Sequence, residues 1–125
     1  MCGIAGYIGK NIIDEKTISK TLECMAHRGP DSDGYYLSNK GEENIYLLHS
    51  RLSIIDLSNV SNQPYHYDNL VLIYNGEIYN YLEIKQELEK LGYRFYSNGD
   101  TEVLIKSFHC WGEKAFNKFE GMWAF

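Results

Sequence analysis

A short apolar strand that starts at the third residue constrains this chain more than any other feature. Residues 3–8 read GIAGYI, bounded by a cysteine on one side and Gly9 on the other. A run this short matches a buried strand better than a helix. The chain must therefore supply pairing strands further on. Two come from residues 34–38 and 44–49, with NKGEE as the turn between them, and LVLIYN (70–75) reads as another, its apolar run suggesting cover on both faces.

Helices punctuate these strands. In DEKTISKTLECMAHRG the residues Ile18, Leu22 and Met25 recur at helical spacing until Gly29-Pro30 ends the pattern. NYLEIKQELEKLGY is the clearest helix, with Asn80 and Glu83 placed as a cap, Ile84, Leu88 and Leu91 as the apolar stripe, and Gly92 at the C-terminal end. A third helix follows GD at about residue 101 and runs to Trp111-Gly112. KFEGMWAF then turns into a strand, and a chain with Trp123 and Phe125 among its last residues is expected to continue in the native protein. One domain is expected over residues 1–125.

Charge and composition narrow the function. A net charge of −5 leaves no basic stripe to neutralise phosphates, so no nucleic-acid partner is expected. No apolar run approaches the roughly 20 residues of a membrane span, and the first residues lack a basic, then long apolar secretory leader. Three cysteines, at positions 2, 24 and 110, do not form a disulfide framework. These features point to a soluble protein in a reducing, cytoplasmic setting.

Cys2 is the first residue with chemistry. A thiol is only slightly ionised at neutral pH and needs a base to become a nucleophile. If Met1 is removed, the α-amine of Cys2 itself titrates near 8 and can take the proton. Gly3 leaves room beside it. A buried structural cysteine is the competing reading. In YNGEIYN, Asn75 and Gly76 stand where a strand ends and a helix is about to begin. Such a corner can aim a side-chain amide and a backbone N–H at one point, as a tetrahedral oxyanion requires. Taken alone, a plain Asn-Gly turn is the stronger reading. Arg51, in HSRLSIIDLS, has the planar fork for a carboxylate, or is a surface or structural ion pair. Asp100, in SNGDTEV, is either an N-cap or, with Glu77, a ligand for an ammonium group.

Taken together, MCGIAGYIG, HRGPDSDG, HSRLSIIDLS with QP downstream, YNGEIYNY and GDTEVL resemble the glutamine amidotransferase domain of asparagine synthetase. This is the class with an N-terminal nucleophile, and the five stretches run in order across nearly the whole chain. CGI.GYIG alone is shared with glucosamine-6-phosphate synthase, but HRGPDS and SRLSIIDLS stand where that enzyme typically has YRGYDS and TRWATHG.

The resemblance implies an α+β fold of the Ntn-hydrolase type. That fold is a four-layer sandwich of two antiparallel sheets covered by helices, here C-terminally truncated with apolar surface exposed. It implies glutamine as substrate and Cys2 as the nucleophile that forms a glutamyl thioester. Asn75 and Gly76 would form the oxyanion hole, Arg51 would hold the glutamine carboxylate, and Glu77 and Asp100 would line the glutamine pocket. HRGPDS would be scaffold near the site. No SGG.DS-like stretch occurs, so the synthetase domain that would use ATP and Mg2+ to amidate aspartate is absent from this chain. The chain itself is expected to need no cofactor. Two alternatives stand beside this one: a degenerate, non-catalytic module, and the amidotransferase of a related enzyme with another ammonia acceptor.

No metal site is expected. Cys24-x-x-His27 has no matching second pair, and His109-Cys110 is adjacent in sequence. Cys110 falls on a core face of the third helix, and Cys24 lies off the stripe of the first. His27, His49, His66 and His109 read as structural, though His49 shares a strand face with Arg51 and is open to a supporting role.

Overall fold

The computed structural model describes residues 2–125. Met1, on whose removal the free α-amine reading depends, lies outside them. The elements follow one another as β1 (Gly3–Gly9), α1 (Glu15–Met25), β2 (Ser32–Lys40), β3 (Glu43–Arg51), β4 (Tyr65–Tyr67), β5 (Leu70–Leu72), β6 (Asn75–Ile78), α2 (Tyr81–Lys90), α3 (Asp100–Trp111) and β7 (Gly121–Ala124). Every strand pair is antiparallel, which agrees with the α+β class. Among the described residues the strands divide into three small sheets, ordered β1-β3-β2, β4-β5 and β6-β7, rather than two large ones.

The first sheet places the N-terminus. β1 pairs with β3 in the register Gly3↔Ser50, so extending the ladder by one residue sets Cys2 across from Arg51. β2 and β3 form the expected hairpin, with Gly41 at φ 66° in the turn, a left-handed angle that glycine adopts at no steric cost. α1 packs Ile18 against Tyr46 and Leu48 of β3 on one face of this sheet. β1 itself is an edge strand and not the fully buried one its composition suggests: Ile8 is 65% exposed.

The main core lies at the other end of the chain. Ile84 and Leu88 of α2 meet Val103, Leu104 and Ile105 of α3, with Leu72 of β5, Ile78 of β6 and Tyr74 from between those strands. Gly92, at φ 94°, closes α2 where the sequence places it. Leu91, read as the last residue of the stripe, is exposed because α2 has already ended at Lys90.

Two local readings are corrected. Asn80 precedes α2 but makes no capping bond. Its amide instead donates to the Lys118 carbonyl at 2.9 Å and accepts from Glu120 N at 3.0 Å, tying α2 to the approach to β7. The apolar run 70–75 is not one strand either. It breaks after Leu72, and Asn75 begins β6, so the supposed Asn-Gly corner is the first half of a strand whose partner is β7.

Candidate active site

A cavity of about 200 Å3 opens between the end of the first sheet, the β6–β7 pair and the start of α3. Cys2, Arg51, Asn75, Gly76, Glu77 and Asp100 all line it. Every candidate residue separated in the sequence is thus brought to one space.

The cysteine is held by its neighbours. Cys2 Sγ accepts from Leu52 N at 3.4 Å and lies 3.7 Å from Leu52 O, while the Cys2 carbonyl accepts from Arg28 Nε at 3.1 Å. Arg28 belongs to the HRGPDS stretch, and so does Asp31, whose carboxylate accepts from Ser53 N at 2.7 Å. Gly29 sits so close to β3 that a Cβ would lie 2.2 Å from the Ser50 carbonyl oxygen. The stretch is therefore a brace that presses on the strand end carrying Arg51.

Arg51 is buried, and much of its guanidinium is engaged. Nη1 donates to the Ser58 carbonyl at 2.8 Å and to Asn62 Oδ1 at 2.6 Å, and Nη2 donates to the Asp56 carbonyl. Among the described residues this leaves the donors on Nε and the second hydrogen of Nη2 for a ligand. Asp56 knots the same loop from its other side. Its carboxylate accepts from Ser58 N, Ser58 Oγ, Ser61 Oγ and, at 2.9 Å, Asn98 N. The Ser58 hydroxyl and Asn98 N–H, with the other donors, hold that carboxyl well below the usual range despite some burial.

The aim of Gly76 follows from ladder parity. Tyr79 N donates to Glu120 O at 2.7 Å, directly opposite in the β6–β7 register. Bonded and non-bonded pairs alternate along an antiparallel ladder, so Glu77 and Asn75 face β7 and Ile78 and Gly76 turn away from it. Ile78 N confirms the parity by donating to Asp100 Oδ2 at 3.0 Å. Gly76 N–H points to the same side, where among the described residues no third strand pairs with β6. Glycine is required here for space: a Cβ would stand 2.3 Å from the Met122 carbonyl oxygen. Asn75 Oδ1 is buried with no hydrogen-bond partner among the described residues.

Asp100 is the first residue of α3 rather than its N-cap, a position taken by Gly99. Tyr74 Oη donates to its Oδ2 at 2.7 Å. Burial, reinforced by the Asp100 charge, raises the Tyr74 phenol far above its ordinary value, so the hydroxyl stays a donor. The loop before Asp100 is fixed by Glu102, which pairs with Lys106 and accepts from Tyr96 N, Ser97 N and Ser97 Oγ. Burial works to raise the Glu102 carboxyl, but these bonds, led by Lys106, lower it overall. Glu77 is exposed at the rim.

Sequence reasoning missed Tyr74, Gln63 and Thr101, which line the same cavity. Gln63 accepts from Tyr74 N and its Nε2 reaches Thr101 Oγ1 at 3.5 Å. The QP stretch was the available signal for Gln63. Among the described residues no group of three or more His, Cys, Asp or Glu side chains gathers as a metal site, and no helix is long and apolar enough to cross a membrane.

The profile of the glutamine amidotransferase domain matches residues 1–125. The chain belongs to this family. Relatives of this amidotransferase domain include asparagine synthetase (glutamine-hydrolysing) 1 of Bacillus subtilis, 41% identical over 132 residues, covering 100% of this chain and 20% of that protein. A putative asparagine synthetase (glutamine-hydrolysing) 2 of Methanocaldococcus jannaschii is 39% identical over 143 residues, covering 100% of this chain and 27% of its own. Amidase chry2 of Gibberella zeae is 33% identical over 141 residues, with 100% and 20% covered. The amidotransferase domain described here thus spans a fifth to about a quarter of the length of the curated relatives it matches.

Proposed function

We propose that this domain hydrolyses glutamine to glutamate and ammonia, and that a synthetase domain of the parent protein uses the ammonia to amidate aspartate. The observation that carries this reading is the shared cavity: the Cys2 thiol, the Arg51 guanidinium, the Glu77 and Asp100 carboxylates, the Asn75 amide and Gly76 line one space. Its size suits a free amino acid rather than a polymer.

Glutamine enters with its α-carboxylate toward the donors left on Arg51 and its ammonium toward Asp100 and Glu77. The side-chain amide then lies between Cys2 and Asn75–Gly76. The Cys2 α-amine, freed by removal of Met1, takes the thiol proton as Sγ attacks the amide carbon. Negative charge collects on the amide oxygen, where the Gly76 N–H and the Asn75 amide nitrogen stabilise it. The α-ammonium returns the proton to the leaving nitrogen, ammonia departs, and a glutamyl thioester remains. Water, deprotonated by the same amine, attacks the thioester carbon through a second oxyanion. Sγ leaves and recovers its proton, releasing glutamate.

No step in this sequence calls for a cofactor at this chain. ATP and Mg2+ would act at the synthetase domain, activating the acceptor carboxylate. The named B. subtilis and M. jannaschii relatives support aspartate as that acceptor.

Glutaminase and ammonia-dependent synthesis, measured on the full-length protein, test the assignment. Cys2→Ala is expected to abolish glutamine hydrolysis and leave synthesis from free ammonia intact. Hydrolysis that survives the substitution would remove Cys2 as nucleophile.

A further inference from the structure

Tyr74, the residue immediately before Asn75, is 3% exposed and belongs to neither β5 nor β6. Three separate parts of the chain hold its polar groups. Its N–H donates to Gln63 Oε1, its hydroxyl to Asp100, and its carbonyl faces His49 Nε2 at 3.1 Å. His49 lies on β3 at 0% exposure, two residues before Arg51.

The acceptor decides the tautomer. A carbonyl oxygen can only accept, so Nε2 carries the ring proton and Nδ1 is left bare. Nδ1 has no hydrogen-bond partner among the described residues, which agrees. Burial, with a smaller push from the Arg51 charge, holds the imidazole down to about 4, against the opposing pull of the Tyr74 carbonyl. The ring is therefore neutral at physiological pH.

What this bond fixes is one peptide plane. The Tyr74 carbonyl and Asn75 N–H belong to the same plane, and ladder parity turns Asn75 N–H toward Ala124 of β7. β7 grips one edge of the plane and His49 the other. Rotation of that plane swings the Asn75 side chain and shifts Gly76 behind it.

We propose that His49 is a positioning residue for glutamine hydrolysis: by donating to the Tyr74 carbonyl it fixes the peptide plane that aims the Asn75 amide and the Gly76 N–H at the reacting carbonyl. The inference rests on the glutaminase reading given above. It assigns His49 no contact with substrate. Its effect is on charge stabilisation after binding, so it belongs to kcat and not to KM.

The test compares three variants of the full-length protein in glutaminase kinetics, with thermal unfolding measured alongside. His49→Leu fills the space and removes the donor. His49→Gln puts an amide nitrogen where Nε2 stands, and His49→Asn puts one a bond short. His49→Leu and His49→Asn are expected to lower kcat by about 10- to 100-fold, the scale of a small misplacement at a reacting centre, with KM within about 2-fold. His49→Gln should recover most of the loss. If His49→Leu does not fold, the Asn and Gln variants carry the comparison. Unchanged kcat in His49→Asn, equal losses in Asn and Gln, or a loss confined to KM would each overturn the positioning role while leaving the glutaminase reading standing. A wild-type protein that hydrolyses no glutamine overturns both.

Discussion

Tyr74 donates its hydroxyl to the Asp100 carboxylate at 2.7 Å, joining the residue before the proposed oxyanion donors to the first turn of α3. Both side chains are buried. Asp100 loses a charge-assisted bond in Tyr74→Phe, worth about 1.5–3 kcal/mol. Urea unfolding is expected to show a loss of that order. Glutamine KM should rise as well, because the carboxylate proposed to meet the substrate ammonium is then held, among the described residues, by Ile78 N alone. An unchanged KM would separate the bond's structural part from any part in binding.

Gly76 answers to space on one side and chemistry on the other. In Gly76→Ala the new methyl meets the Met122 carbonyl oxygen at 2.3 Å and Trp123 Cα at 2.6 Å, so β6 and β7 must part. Overpacking of this kind costs about 1–3 kcal/mol. Reduced thermal stability is expected together with loss of glutaminase, and a variant that keeps full turnover would show that the approach of β7 does not set the site.

Arg51→Lys is not a conservative change here. A guanidinium reaches Ser58, Asn62 and the Asp56 carbonyl and still keeps donors for a ligand; an ammonium has three donors on one point. Glutamine KM is expected to rise about 10-fold or more, with faster proteolysis in the segment 52–62. Limited proteolysis at the wild-type rate would mean that the loop does not depend on those bonds.

Acid sensitivity should come in two windows. His49 is depressed from its ordinary value near 6.5 to about 4, mainly by burial, so between these the unfolded chain binds a proton that the native one refuses. Stability contributed by His49 is full above about 6.5 and is lost as the pH falls to about 4. Asp56 is also depressed, by its Ser58 and Asn98 donors, and its contribution is lost at still lower pH, below the ordinary carboxylate range. Equilibrium unfolding against pH is expected to lose the first window in His49→Gln and keep the second. A wild-type curve flat from 6.5 to 4 would contradict the neutral buried ring.

The parts legible in the sequence are those whose cause is local. Ile18, Leu22 and Met25 state their period, and the β2–β3 hairpin is carried by adjacent runs around Gly41. The candidate site residues were named through motif resemblance, and all six line one cavity. What was not legible depends on long-range geometry. Asn80 looks like a cap because Asn commonly caps, yet its amide is claimed by Lys118 and Glu120, 38 and 40 residues on. The Asn75–Gly76 corner is a strand because β7 arrives from the far end of the chain. Tyr74 reads as one more apolar residue in LVLIYN; nothing local announces that Gln63, His49 and Asp100 converge on it.

The central claim is that Cys2, alone among three thiols, faces bound glutamine. A glutamine analogue with an electrophile in place of the side-chain amide, incubated with the processed full-length protein and mapped by peptide mass spectrometry, tests this most directly. The account predicts one adduct, on Cys2, suppressed by excess glutamine. Modification of Cys24 or Cys110 in its place, or labelling of Cys2 that glutamine does not protect, would contradict it.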